Sequence, residues 1–169
     1  QRHFDLPPGA SEEVTFLLGQ GADQAETLSL IQQYQEVGRV TAVYESVHTL
    51  WDELLGAVTV DTPDPAMNLL LNRWLLYQTV SCRLWAKAGF YQAGGATGFR
   101  DQLQDAMALS WAAPTMLREQ ILIGASRQFP EGDVQHWWHA PGGAGVRTHF
   151  SDDLLWLAFA ITHYLRATG

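Results

Sequence analysis

At 169 residues the chain is the size of a single domain, long enough to bury roughly 70% of the surface its unfolded form exposes. Its net charge of -8, from Lys+Arg 10 against Asp+Glu 18, argues against nucleic-acid binding, which needs clustered cations on phosphate. The acidity is uneven: residues 1–60 hold nine acids and two bases, whereas 61–169 hold nine acids and eight bases.

The opening predicts a pair of strands, Phe4-Asp5-Leu6 and Val14-Thr15-Phe16-Leu17-Leu18, joined through Pro7-Pro8-Gly9. Two strands are marginal alone, so their sheet partners are expected upstream of Gln1. Helices follow over 22–37 and 39–55, parted at Gly38, with apolar residues at mixed spacings of three and four; they read as a linker. Asp61-Thr62-Pro63-Asp64-Pro65 then supplies a cap and early prolines for a long helix over 65–87. The lone Cys82 falls inside that helix and reads as a packed thiol, since one cysteine cannot form an internal disulfide. Beyond Gly89 the chain alternates loop and helix: loop 89–99, helix 101–111, helix 114–128 opened by Pro114, loop 130–150, and helix 152–167 capped by Ser151. The last helix is apolar nearly all round, which suits burial in a larger assembly. No apolar run reaches the roughly 18 residues of a membrane span, and the start is no signal peptide. Both ends read as cut.

Three loop-borne clusters carry candidate chemistry. In Gly94-Gly95-Ala96-Thr97-Gly98-Phe99-Arg100-Asp101-Gln102 the glycines permit close approach, and Asp101 either caps a helix or accepts sugar hydroxyls. A phosphate-binding P-loop is argued against by the missing Gly-Lys-Ser/Thr end. Glu131-Gly132-Asp133-Val134-Gln135-His136-Trp137-Trp138-His139 concentrates acid, amide, imidazole and indole, the composition of a sugar site, because indoles stack on pyranose rings and the polar groups bond hydroxyls. Asp133, His136 and His139, three apart, leave a weaker metal reading open, and a loop with buried indoles is the plain alternative. In Arg147 through Ser151-Asp152-Asp153 the acids suit a helix start, while Arg147 suits an anion or a sugar. Carboxylate pairs for glycoside chemistry exist among Asp101, Asp105, Asp133 and Asp153, with no spacing that selects one.

With Asn72-Arg73-Trp74-Leu75-Leu76-Tyr77-Gln78, these ordered runs resemble the glycoside phosphorylases of glycoside hydrolase family 94, and among them the phosphorylase-like C-terminal region of bacterial cyclic β-1,2-glucan synthases. Thr97, Pro130, Ala140 and Ala158 depart from the family pattern. The resemblance implies a mainly α fold: the last strands of a β-sandwich over 1–20, a helical linker over 21–60, and over 61–169 the opening hairpins of an α/α six-hairpin barrel. It implies an inverting phosphorylase that breaks β-linked glucans, β-1,2-glucan above all, with inorganic phosphate as co-substrate and no cofactor. It puts Arg147 and Asp153 at the donor-sugar subsite, and Arg100, Asp101, Gln102, Gln135, His136, Trp138 and His139 on loops facing the same cleft. The general acid is expected in a motif beyond Gly169, so no catalytic residue is assigned within the chain. Full-length relatives are expected as homodimers or joined to a membrane synthase, with a cytoplasmic-facing location. A non-catalytic carbohydrate-binding module and a purely structural fragment remain the rival readings.

Overall fold

The computed structural model describes residues 3–36, 38–88 and 94–169, which form a largely helical fold with six packed helices and one small antiparallel sheet. Two compact units divide at Thr49 and Leu50, within a helix. No helix among the described residues is long and apolar enough to cross a membrane.

In the first unit, residues 3–21 form turns and extended chain without strand pairing. This corrects the expected strand pair. A strand is held by its ladder partner, and here Phe16 and Leu18 are fully open to solvent. Helix α1 (Gln24–Gln35) starts with a reciprocal cap: Asp23 Oδ1 accepts from Glu26 N at 2.9 Å, and Glu26 Oε2 accepts from Ala22 N at 2.5 Å. Helix α2 (Arg39–Gly56) runs from the first unit into the second, where Leu54 and Leu55 are buried.

The second unit opens with a helical run over 65–85, α3, in which α-helical turns alternate with π-helical ones at Leu70–Trp74 and Thr79–Trp85. Asp64 caps it, accepting from Ala66 N at 2.9 Å, and Pro65 fills the first turn, where its missing N–H costs nothing. Two asparagines one turn apart then clip the preceding extended segment onto the helix. Asn72 exchanges both hydrogen bonds with the backbone of Val60, at 2.7 and 2.9 Å, while Asn68 Oδ1 accepts from Thr62 N at 2.8 Å. Cys82 is half-buried and its thiol reaches Gln78 Oε1 at 3.4 Å.

Helix α4 (Phe99–Ala106) begins two residues earlier than expected and continues as a 3-10 turn, Met107–Leu109. Helix α5 (Pro114–Ala125) ends three residues short of the expected 128, because Arg127 and Gln128 pair with the next strand instead. The segment 130–150, expected as a loop, is a hairpin. Strands β2 (Val134–His139) and β3 (Ala144–Thr148) pair antiparallel, and β1 (Ala96–Gly98) adds to the other edge of β2. Helix α6 (Asp153–Thr168) closes the chain. Ser151 does not cap it: Asp152 holds the cap position, and its carboxylate is turned to Arg100.

The core gathers one stripe from each element: Val80 and Leu84 of α3, Phe99, Leu103 and Ala106 of α4, Leu117 and Ile121 of α5, Val134 and Trp138 of β2, and Leu157 and Ala160 of α6. Phe99 and Leu117 are fully buried, and truncating side chains of this size to alanine costs about 2–5 kcal/mol. Gln102 Nε2 donates to the Arg83 carbonyl at 3.2 Å, and Arg83 pairs with Asp105 at 2.6 Å, so polar bonds as well as apolar packing fasten α4 to α3. The opposite face of α6, with Leu155, Phe159 and Leu165, is exposed in this chain.

Candidate active site

Strand β1 passes straight into α4 at Gly98, which ends the strand and caps the helix. A Cβ there would come within 3.1 Å of Asp101 Oδ2, which would have to give way by a few tenths of an ångström. The tight strand-to-helix passage sets Arg100 and Asp101 beside the strand they have just left. Facing them across the sheet, Gly98 pairs with Trp137 and Ala96 with His139. The result is a cavity of about 340 Å³ lined by Gly94, Ala96, Gly98, Phe99, Arg100, Asp101, His136, Trp137 and His139.

A β-bulge allows two consecutive residues, His136 and Trp137, to line this cavity. Gln135 pairs with Arg147 and Trp137 with Val146, which leaves His136 as the extra, unpaired residue. Such a bulge resets the alternation of side chains along a strand. Trp138 therefore points into the core, 3% exposed, with the Arg127 guanidinium 5.0 Å over its ring, while Trp137 is open to the cavity. Trp138, expected to face the cleft, is thus a core residue. The indole that lines the cavity is Trp137, and only the bulge distinguishes them.

Four residues expected at the site thus meet there: Arg100, Asp101, His136 and His139. Asp153 stands behind them, with Oδ2 2.7 Å from His136 Nδ1 and 3.5 Å from Thr148 Oγ1. Phe150 packs edge-on against the same imidazole at 4.8 Å. Arg100 is held by Asp101 through Nε at 3.2 Å and by Asp152 through Nη1 at 3.2 Å. Asp101 and then Asp152 raise the guanidinium pKa further above its ordinary value. Burial opposes ionisation of Asp152, but Arg100 and the backbone outweigh it and hold the carboxyl below the usual aspartate range.

The other expected site residues are not among those lining the cavity, and each makes contacts of its own. Gln102 is buried against α3, as above. Gln135 spans the hairpin, donating to Gly143 O at 2.8 Å and accepting from Arg127 at 3.3 Å. Arg147 grips Asp133 with two bonds, at 2.5 and 2.6 Å, reaches Glu131 at 3.0 Å, and lies 4.0 Å over the Phe129 ring. Hydrogen bonding from Arg147, against some burial, lowers the Asp133 pKa. Asp105 is spent on Arg83, so Asp101, Asp105, Asp133 and Asp153 each already carry a partner. Among the described residues no three His, Cys, Asp or Glu side chains are placed to hold a metal ion.

The family model for the glycosyl hydrolase 94 superfamily, catalytic domain, matches residues 50–169, which spans α3, the sheet and every helix that frames the cavity. The chain belongs to the glycosyl hydrolase 94 superfamily. Its relatives agree with that membership. It is 47% identical over 161 residues, 95% of its own length, to cyclic beta-(1,2)-glucan synthase NdvB of Rhizobium meliloti. It is 30% identical over 196 aligned residues to N,N'-diacetylchitobiose phosphorylase of Vibrio proteolyticus, and 32% over 170 to solabiose phosphorylase of Paenibacillus borealis. These alignments span 6%, 24% and 20% of the relatives' lengths, so the chain corresponds to a small part of each. The run 72–78, within the matched span, is not among the residues lining the cavity. Asn72 clips Val60, Arg73 pairs with Asp52 at 2.8 Å, and Tyr77 packs on Trp51, all of which fasten the end of α2 and the 58–62 segment to α3.

Proposed function

We propose that the chain is the donor-sugar portion of an inverting glycoside phosphorylase that acts on β-linked glucans, β-1,2-glucan first among them. The observation that carries this reading is the convergence, in a family 94 chain, of the 94–101 and 136–139 segments on one cavity with an indole, a guanidinium and two imidazoles. An indole offers a face for a pyranose, and the polar groups offer both donors and acceptors for its hydroxyls. The names of the relatives, a β-1,2-glucan synthase and several phosphorylases of β-linked sugars, support the reaction class.

In that reaction phosphate attacks the anomeric carbon from the face opposite the leaving oxygen. One carboxylic acid protonates that oxygen, and the product is an α-sugar 1-phosphate. The carboxylates beside this cavity are committed to Arg100 and His136, which fits a general acid supplied by sequence outside these residues. Arg147 and Asp153 belong to the donor subsite in this reading, with Arg147 released from Asp133 and Glu131 when it takes a ligand. The helices from α3 onward are the opening hairpins of an α/α barrel, the stretch 21–60 is a linker, and residues 1–20 become strands only against partners of a β-sandwich.

The test is phosphate-dependent release of α-glucose 1-phosphate from β-1,2-gluco-oligosaccharides and from cellobiose, by the 169 residues and by a longer version carrying downstream sequence. The reading expects activity in the longer version alone, with the β-1,2 substrate preferred. Release of free glucose without phosphate would overturn the reaction class, and turnover by the short chain would overturn the placement of the acid.

A further inference from the structure

Asp153 is 1% exposed, yet its two oxygens are used unequally. Oδ2 meets His136 Nδ1 at 2.7 Å, with Thr148 Oγ1 more distant at 3.5 Å, whereas Oδ1 is buried with no hydrogen-bond partner among the described residues. A buried acid retained only for structure is expected to satisfy both oxygens, because each bare one costs about 1–3 kcal/mol. Its one short contact is to the imidazole on the cavity wall.

We propose that Asp153 is a positioning residue: it accepts the Nδ1–H of a neutral His136 and so fixes the tautomer whose Nε2 lone pair is offered to the cavity as an acceptor for a ligand hydroxyl. A carboxylate oxygen accepts and an imidazole N–H donates, so in this proposal the proton of the short contact sits on Nδ1. The ring has little freedom to exchange its nitrogens, since it sits at the bulge with Phe150 packed edge-on at 4.8 Å. The acceptor matters because its neighbour Arg100 can only donate. Asp101, the carboxylate on the same wall, already receives two bonds from Arg100. His136 and Arg100, lining one cavity, then let it engage a hydroxyl in both senses, which favours a polyol such as a sugar over a simple anion. The class of ligand rests on the donor-sugar reading; the tautomer does not.

The test is a long-range ¹H–¹⁵N spectrum of the chain's imidazoles, recorded above the ordinary imidazole pKa of about 6.5. The His136 signals are assigned by their loss in His136→Gln. The expected spectrum has Nδ1 protonated and Nε2 bare, and Asp153→Ala is expected to shift the proton to Nε2. A proton on Nε2 in the unsubstituted chain, alone or together with one on Nδ1, overturns the proposal, as does an unchanged spectrum in a folded Asp153→Ala. Should that variant fail to fold, the unsubstituted spectrum decides by itself. Failed phosphorolysis would leave the spectrum untouched, so the two proposals fail separately.

Discussion

Arg147 and Asp133 show how a single pairing can be tested without reference to any ligand. Asp133 is 4% exposed, and Arg147 holds its carboxyl below the ordinary aspartate value of 3.8, with His149 Nδ1 a further 3.3 Å neighbour of Oδ2. A carboxyl whose folded-state pKa is depressed binds fewer protons than its unfolded counterpart, so stability rises with pH across that window. The contribution is complete above about pH 4 and is lost as pH falls through the lower folded value. Arg147→Met removes the cause. Its thermal midpoint is expected to lie below that of the unsubstituted chain at neutral pH, with the gap closing as the pH is taken from about 6 to about 3. Parallel melting curves over that range would show that the pair contributes nothing through Asp133. From sequence, Arg147 was legible as a residue of interest but not its partner, because Asp133 lies 14 positions away on the facing side of an unrecognised hairpin.

That hairpin is the element that decides the site. At its centre Gly145 pairs with Trp138, so close that a Cβ there would collide with the Trp137 carbonyl and come within 2.7 Å of Trp138 Cα. Gly145→Ala is therefore expected to cost about 1–3 kcal/mol by forcing β3 away from β2. It should also unsettle Trp137 and His139 in the cavity, seen as a lower midpoint with altered indole signals; an unperturbed melt would mean that the register is not as described. The helices were legible because apolar spacing, Asp64-Pro65 and Pro114 mark them directly. The sheet was not. Ala144-Gly145-Val146 has no alternation of apolar and polar side chains, and the bulge at His136 breaks the alternation in β2. The readable signal was Pro141-Gly142-Gly143 between two short runs, a turn of hairpin length. At the chain's start Val14–Leu18 has strand composition but no ladder partner among the described residues.

Across the whole molecule, the second unit carries both the packed core and the cavity, and it coincides with the span matched by the superfamily. The ordered motifs carried the family likeness into the sequence; what they did not carry was which of their residues face the cavity, since that depends on one bulge and one strand-to-helix passage. The central claim is that the cavity between the start of α4 and strand β2 takes the donor sugar. It is tested most directly by titrating the chain with a β-1,2-linked glucose disaccharide while following the indole N–H signals. Trp137, on the cavity wall, is expected to shift, and Trp111, 72% exposed and away from that wall, is expected to stay in place as the internal control. A shift of Trp111 with Trp137 unmoved would contradict the claim and move the sugar site elsewhere on the molecule.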